Sequence, residues 1–306
     1  MPLKCLVSGS SGFIGSHLKQ ALQIAKIPFN GYDLIDGCDI TDRLRLYNTF
    51  TQEQYDIVIH LAALTSVKRG ELFPQEMIKT NIEGTFNLID ICHKFGVKKF
   101  IYFSSSSVLG GNKDINKGID ETVEYFPISM YGITKAASEM LFKANGLEYV
   151  IIRPFSVYGE NGRQDQVIYR WINQIKKEKP ITFYGDGSSM RGYTYIGDLI
   201  DATIKIINAD WKLWRQLKGQ IIHLGGNEII TLRQLWEIVE DFCKENLIRW
   251  TGIETKEMPK ADIICSYADT TKAKKLLGFD PKPKFREIVN EILKKELLKD
   301  TQRHCL

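Results

Sequence analysis

Tyr131 and Lys135 flank Gly132-Ile133-Thr134, which puts a phenol and an ammonium four residues apart. On a helix that spacing shares one face. A free phenol titrates near 10 and is a poor base at neutral pH. A nearby cation favours its ionised form. Lowering its pKa by about three takes roughly 4 kcal/mol, which charges a few ångström away in a dry cleft supply. Such a phenol can take the proton of a hydroxyl while hydride leaves the same carbon. Four serines at 104–107 cap the preceding apolar run. A hydroxyl there donates and accepts, and so can bridge the phenol and a substrate oxygen. Tyr-x-x-x-Lys pairs are common by chance, so the position after this serine run carries the argument.

A hydride needs an acceptor, and the N-terminus supplies a place for one. Gly9, Gly12 and Gly15 follow the first apolar run and open a helical pattern. Glycines at that spacing allow a sharp turn, let a pyrophosphate approach the backbone, and seat the helix against the strand. The helix N-terminus then offers free N–H groups to the anion. Asp33 ends the second apolar run. A carboxylate there accepts hydrogen bonds from adenosine ribose hydroxyls and repels a 2′-phosphate. No arginine follows it directly, so the expected cofactor is NAD rather than NADP.

The elements that must position these groups are legible as alternation. Residues 3–8, 29–33, 56–61, 99–104 and 149–153 read as buried strands rich in Val, Ile, Phe and Tyr. Helical patterns lie between them at 14–26, with Leu18, Leu22 and Ala25 on one stripe, at 76–95 and at 131–144. This β-α alternation predicts an α/β protein with a Rossmann-type, doubly wound parallel sheet that binds its ligand beyond the C-terminal strand ends. The alternation weakens after about residue 160. Pro180 and the stretch Gly185-Asp186-Gly187-Ser188-Ser189 punctuate the chain, 221–224 reads as one more strand, and Thr231 with Gln234 predicts a capping box before another helix. The expected division is a dinucleotide-binding domain over 1–165, rejoined by about 193–225. A smaller mixed α/β lobe for the substrate takes about 166–192 and 226–306.

Composition excludes several alternatives. The 306 residues are 43% hydrophobic and 25% charged with a formal net charge of +4, which suits an ordinary globular protein. Its basic pairs are too short for a nucleic-acid arm. No apolar run reaches the ~20 residues of a membrane span. Cys5, Cys38, Cys92, Cys243, Cys265 and Cys305 are scattered, and no His/Cys/carboxylate cluster has ligand spacing, so neither disulfides nor a metal are expected. A reducing, cytoplasmic setting follows. His60 reads as structural, and Trp211 and Trp214 as surface cover.

Together these motifs resemble the extended short-chain dehydrogenases, specifically the nucleotide-sugar epimerase and dehydratase family, over nearly the whole chain. In family order they are Gly9 to Gly15, Asp39-Ile40, His60-Leu61-Ala62-Ala63, Asn81 to Thr85, Ser104 to Val108, Tyr131 to Lys135, Arg153 to Gly159, Tyr184 to Gly187 with Arg191, and Ala268-Asp269. The resemblance implies that Gly12, Phe13 and Ile14 contact the cofactor pyrophosphate and that Asp39 and Ile40 hold the adenine. It implies that Leu61, Ala62, Ala63, Ser104 and Phe155 line the cofactor. Tyr131 and Lys135 become the catalytic pair, assisted by Ser105, with Ser106 as the second choice. Tyr184 is implied near the nucleotide base, Arg191 near the substrate diphosphate and Ser156 at the substrate, with Lys260 taking part of a second arginine's task. A homodimer packed through the helices around 76–95 and 131–144 is also implied.

Departures from the family pattern bear on the reaction. Family dehydratases carry Asp-Glu where this chain has Ser106-Ser107, which tilts the expectation to epimerisation at C4 of a nucleotide-diphosphate sugar, a UDP-sugar before others. Ser156 stands in place of an asparagine and Gly192 in place of an aspartate. The competing readings are a 4-ketoreductase, a 4,6-dehydratase and, outside catalysis, a dinucleotide-sensing scaffold.

Overall fold

The computed structural model describes residues 3–259, 262–282 and 284–298. In chain order the elements begin with β1 (Cys5–Ser8), α1 (Phe13–Ile24), β2 (Phe29–Tyr32), α2 (Arg43–Gln52), β3 (Ile57–His60), α3 (Val67–Leu72), α4 (Pro74–Ile78), α5 (Gly84–Lys94), β4 (Lys99–Phe103), α6 (Met130–Asn145) and β5 (Tyr149–Pro154). They continue with β6 (Val157–Tyr158), α7 (Val167–Lys176), β7 (Ile181–Tyr184), β8 (Met190–Gly192), β9 (Thr194–Tyr195), α8 (Ile196–Ile207), α9 (Trp211–Leu217), β10 (Gln220–Leu224), β11 (Ile229–Thr231), α10 (Leu232–Glu245), β12 (Ile253–Lys256), β13 (Cys265–Ser266), α11 (Thr271–Leu277) and α12 (Phe285–Leu293).

Six strands form one wholly parallel sheet in the order β10-β5-β4-β3-β1-β2. The chain runs from β1 out to β2 and returns past β1 to β3, so the winding reverses between β1 and β3. Loops leaving these two strands diverge and open a crevice at their C-terminal ends. Both faces of the sheet are covered, which is why its inner strands are mainly apolar rather than alternating. Cys5 and Val7 pack with Leu18 and Leu22 of α1 and Leu199 and Ile206 of α8. Leu6, between them, packs with Leu46 of α2, Leu88 and Ile91 of α5 and Phe142 of α6.

A further core joins α7, α10 and α12 through Trp171, Ile172, Leu235, Val239, Phe285 and Val289. Small sheets accompany it: β11-β8-β13, and the parallel pair β12-β7. Thr231 and Gln234 form the expected capping box at the start of α10, with Gln234 N donating to Thr231 Oγ1 at 3.0 Å and Thr231 N to Gln234 Oε1 at 2.9 Å. Among the described residues no helix is long and apolar enough to cross a membrane.

Local differences from the sequence reading have physical causes. Ala25 caps the end of α1 and is exposed, because the stripe through Leu18 and Leu22 ends where the helix does. The helical stretch expected from 76 begins at Pro74 and contains a π-turn, Lys79–Glu83, between α4 and α5. There Asn81 is buried, its amide pairing with both backbone groups of Leu64 and with Thr134 Oγ1. Trp214 is not surface cover but core, its Nε1 donating to Glu148 at 2.7 Å; Trp211 is exposed.

Candidate active site

The crevice at the winding reversal is a cleft of about 740 Å³, a size suited to a bound organic cofactor or substrate. Its floor is the glycine turn. Gly9 has a left-handed φ of 70°, and a Cβ on it would stand 2.5 Å from Ala62 N. A Cβ on Gly15 would stand 2.1 Å from Gly9 O, so only glycine lets α1 approach the turn. Gly12 is the N-cap of α1 and carries no side chain to occupy the helix's free N–H groups. Those groups, with Phe13 and Ile14 beside them, line the cleft. This cradle fits a pyrophosphate bound by backbone donors.

The Asp33 carboxylate is fixed before any ligand arrives. It accepts from Ser11 N at 2.8 Å and from Ile35 N at 3.1 Å, at the mouth of the same cleft. Asp39 and Ile40 line the cleft further along, and Asp39 Oδ1 accepts from Thr41 N at 2.8 Å. Leu61, Ala62 and Ala63 line it from the end of β3. His60, just inside, is buried between Ser8 Oγ at 2.6 Å and Thr85 Oγ1 at 2.9 Å. Burial and the nearby Lys135 charge push its pKa down to about 3, which leaves it a neutral structural residue.

Tyr131 and Lys135 reach the cleft from the first turns of α6, whose N-cap Ser129 accepts from Gly132 N at 3.1 Å. Ser104, Ser105 and Ser106 reach it from the end of β4. Ser105 Oγ donates to Ser107 Oγ and accepts from Ser107 N, each at 3.1 Å, closing a tight turn. Ser104 is buried and donates to Glu139.

The electrostatics differ from the expectation that the ammonium depresses the phenol. Burial pushes the Tyr131 pKa above its ordinary value, while the Ser105 hydroxyl and the Arg163 guanidinium pull it down. Burial pulls Lys135 down to about 7, opposed by the Glu139 charge. The ammonium is directed to Phe103 O, at 2.7 Å, and over the Tyr102 ring, at 4.7 Å.

Of the remaining candidates, Ser156 and Arg191 line the cleft. Ser156 has a positive φ of 32°, a strained conformation for a residue with a side chain. Arg191 Nη2 holds Asp262 at 2.8 Å and Nη1 donates to Met190 O at 2.9 Å. Phe155 and Tyr184 are not brought to the cleft surface. Phe155 is fully buried, packed with Val108, Leu109, Ile119 and Ala136 and with its ring 5.2 Å from His223. Tyr184 packs under the Arg170 guanidinium, 5.0 Å from its ring centre. Lys260 lies outside the described residues. Sequence reading missed Arg163, Gln166, Ser129 and Asp262, all cleft-lining. Of these only Ser129 carried a signal, as a cap preceding an apolar helix.

Comparison with known proteins agrees with this geometry. A family model described as the NAD dependent epimerase/dehydratase family matches residues 5–213. A UDP-glucuronate 4-epimerase of Thermodesulfobacterium geofontis is 33% identical over 312 residues, covering 92% of each chain. The crystal structure of a UDP-glucuronic acid 4-epimerase from Bacillus cereus, in complex with UDP-glucuronic acid and NAD, superposes with a TM-score of 0.85 at 28% identity, over 96% of this chain and 99% of that one. A UDP-glucose 4-epimerase from Thermotoga maritima, solved with UDP-glucose, gives a TM-score of 0.85 at 27% identity, over 96% of this chain and 100% of that one. The family match takes in the glycine turn, Asp33, the serine run and the Tyr131/Lys135 helix alike, and the chain belongs to the NAD dependent epimerase/dehydratase family of extended short-chain dehydrogenases.

Proposed function

We propose that the protein is an NAD-dependent epimerase that inverts C4 of a nucleotide-diphosphate sugar, a UDP-sugar before others, through a transient 4-keto sugar. The observation that carries this reading is the meeting of Tyr131, Lys135 and Ser105 with the glycine cradle and Asp33 in one cleft whose lining also includes Arg191. The 4-epimerase activities of the similar proteins described above support it.

In this reading Asp33 accepts the ribose hydroxyls and the α1 N-terminus receives the pyrophosphate. The chemistry supplied by bound NAD is acceptance of the C4 hydride and its later return. Tyr131 takes the C4 hydroxyl proton and gives it back, and Ser105 bridges the phenol and the sugar oxygen. Lys135 adds positive charge beside them. The Arg191 guanidinium serves the substrate diphosphate in a geometry a lysine could not offer. Ser156 meets the sugar. Tyr184 and Lys260 remain assigned to the nucleotide end by family resemblance.

Two observations favour this reading over dehydration. The positions where family dehydratases carry Asp-Glu are Ser106 and Ser107. Among the described cleft residues the carboxylates are Asp33 and Asp39, on the cofactor side, and Asp262, already paired with Arg191. Among the described cleft-lining residues none offers a further carboxyl group to protonate a leaving hydroxyl. A ketoreductase would consume NAD(P)H stoichiometrically, whereas an epimerase retains its cofactor unchanged.

The test is incubation of the pure protein with UDP-glucose and UDP-glucuronate, followed by proton NMR of the anomeric signals. C4 inversion by wild type and its loss in Tyr131→Phe are expected; no conversion, or equal conversion by both, sinks the reading. Exposed Ile78, Phe86, Ile133 and Met140 on α4, α5 and α6 support a homodimer through these helices, and elution as a monomer in size-exclusion chromatography would remove it.

A further inference from the structure

Tyr131 and Lys135 recur four residues apart on α6, and the next position in that series is Glu139. Its carboxylate is fully buried and satisfied by four donors from three other segments. From β5, Arg153 Nε donates to Oε1 at 2.9 Å and Arg153 Nη2 to Oε2 at 2.7 Å. Tyr125 OH, from the loop before α6, donates to Oε2 at 2.7 Å. Ser104 Oγ, at the end of β4, donates to Oε1. Arg153 is buried as well, with Tyr125's ring 4.9 Å from its guanidinium carbon and His223 Nε2 3.4 Å from Nη1.

A buried ion pair is a poor device for stability alone, because desolvation offsets most of the attraction. Its location suggests another use. Ser104 lies between Phe103, whose carbonyl receives the Lys135 ammonium, and Ser105, the hydroxyl assigned to Tyr131. Arg153 precedes Pro154 and Ser156, which line the same cleft. One carboxylate therefore ties the ends of β4 and β5 to the helix that carries the phenol and the ammonium.

We propose that Glu139 is a positioning residue of the hydride-transfer site, locking the ends of β4 and β5 onto α6 and supplying the negative charge against which the buried Lys135 ammonium stands. The inference rests on the reading of Tyr131 and Lys135 as the reacting pair. The titratable groups facing Lys135 are Tyr102 from β4, His60 from β3 and Glu139 from α6 itself, with Tyr131 one turn earlier on that helix. Those facing Glu139 are Arg153 and Tyr149 from β5, Tyr102 from β4 and Tyr125 from the loop. Of the groups facing Lys135, Glu139 supports its charge, and burial opposes it.

The experiment follows Lys135 itself. The full-length protein is labelled with 13Cε-lysine, the Lys135 signal is assigned by its loss in Lys135→Met, and its pH titration is recorded. Wild type should titrate near 7. Glu139→Gln should move the midpoint down by about one pH unit or more, and Glu139→Asp, which keeps the charge, should stay within about 0.3 of wild type. At pH 7 Glu139→Gln should lower kcat about tenfold while KM changes less than about threefold. If Glu139→Gln does not fold, the double variant Glu139→Gln/Arg153→Met leaves no buried charge unpaired and should still move the midpoint down, by less because the opposing Arg153 cation is gone as well. An unmoved midpoint in the variant that folds overturns the proposal, whatever happens to the rate. A wild type without epimerase activity sinks the epimerase reading, and the titration still decides the role of Glu139.

Discussion

Lys135 Nζ donates to Phe103 O at 2.7 Å, so α6 is fastened to the end of β4 by an ammonium that lines the cleft. With that carbonyl as its hydrogen-bond acceptor and the Tyr102 ring 4.7 Å away, the charge is poorly solvated. Its pKa falls from 10.5 to about 7.

That depression predicts a pH-dependent stability. Between about 7 and 10.5 the unfolded chain binds a proton that the native chain has lost. Stability from this group therefore rises with pH across the window and is lost as pH falls toward 7. Urea melts of NAD-free protein should show wild type gaining about 2 kcal/mol more than Lys135→Met between pH 7 and 9. Equal gains in the two proteins would contradict a depressed lysine.

The glycine turn gives a steric prediction. A methyl group on Gly15 would meet Gly9 O at 2.1 Å and the Ser10 backbone at 2.8 Å, and neither can withdraw without moving the turn. Gly15→Ala should lower stability by about 1–3 kcal/mol and abolish NAD retention. Gly96→Ala is the control for NAD binding: its left-handed φ of 68° strains an alanine, its Cβ meets nothing within 4 Å, and it does not line the cleft. NAD bound per chain after desalting is the measurement, and a Gly15→Ala protein that keeps its full complement contradicts the cradle.

Arg163 was invisible as a site residue in the sequence, yet its positive charge lowers the Tyr131 pKa. The guanidinium is fixed by Asp165, through Nη2 to Oδ2 at 2.6 Å and Nε to Oδ1 at 2.9 Å. Removing it raises the phenol pKa, so a reaction that needs the ionised phenol requires a higher pH. The acidic limb of kcat/KM against pH should move upward in Arg163→Ala, with up to about tenfold loss of rate per pH unit on that limb. A limb that stays in place would remove Arg163 from the electrostatics of the phenol.

Much of the sheet was legible because its central strands are short, doubly covered and apolar at all but an end position, as in Ile57–His60 and Lys99–Phe103. The glycine turn and the Tyr131/Lys135 pair were legible because their spacing is local. What escaped the sequence depends on distance along the chain. Arg163 meets the carbonyl of Thr65, and Arg191 meets Asp262, only after folding. Glu139 was hidden for the same reason, since its partners Ser104, Tyr125 and Arg153 come from three segments. Trp214 shows a related limit: nothing local tells that its ring closes the core beneath Lys99, 5.2 Å away.

If Asp33 sets the preference for NAD, its hydrogen bonds sharpen what its replacement should do. Because Ser11 N and Ile35 N already hold the carboxylate, its charge has a fixed place at the cleft mouth. A ribose with free hydroxyls finds two acceptor oxygens there, and a 2′-phosphate finds a like charge that cannot swing away. Asp33→Asn removes the charge and keeps an acceptor for one of the two backbone N–H groups, turning its amide NH2 toward the other. Affinity for NAD should fall, and the preference for NAD over NADP should shrink by about tenfold or more, since a like-charge contact that costs roughly 1.4 kcal/mol corresponds to that factor. Titration calorimetry with both cofactors measures it. An unchanged preference in Asp33→Asn would mean that shape, not the Asp33 charge, excludes the 2′-phosphate.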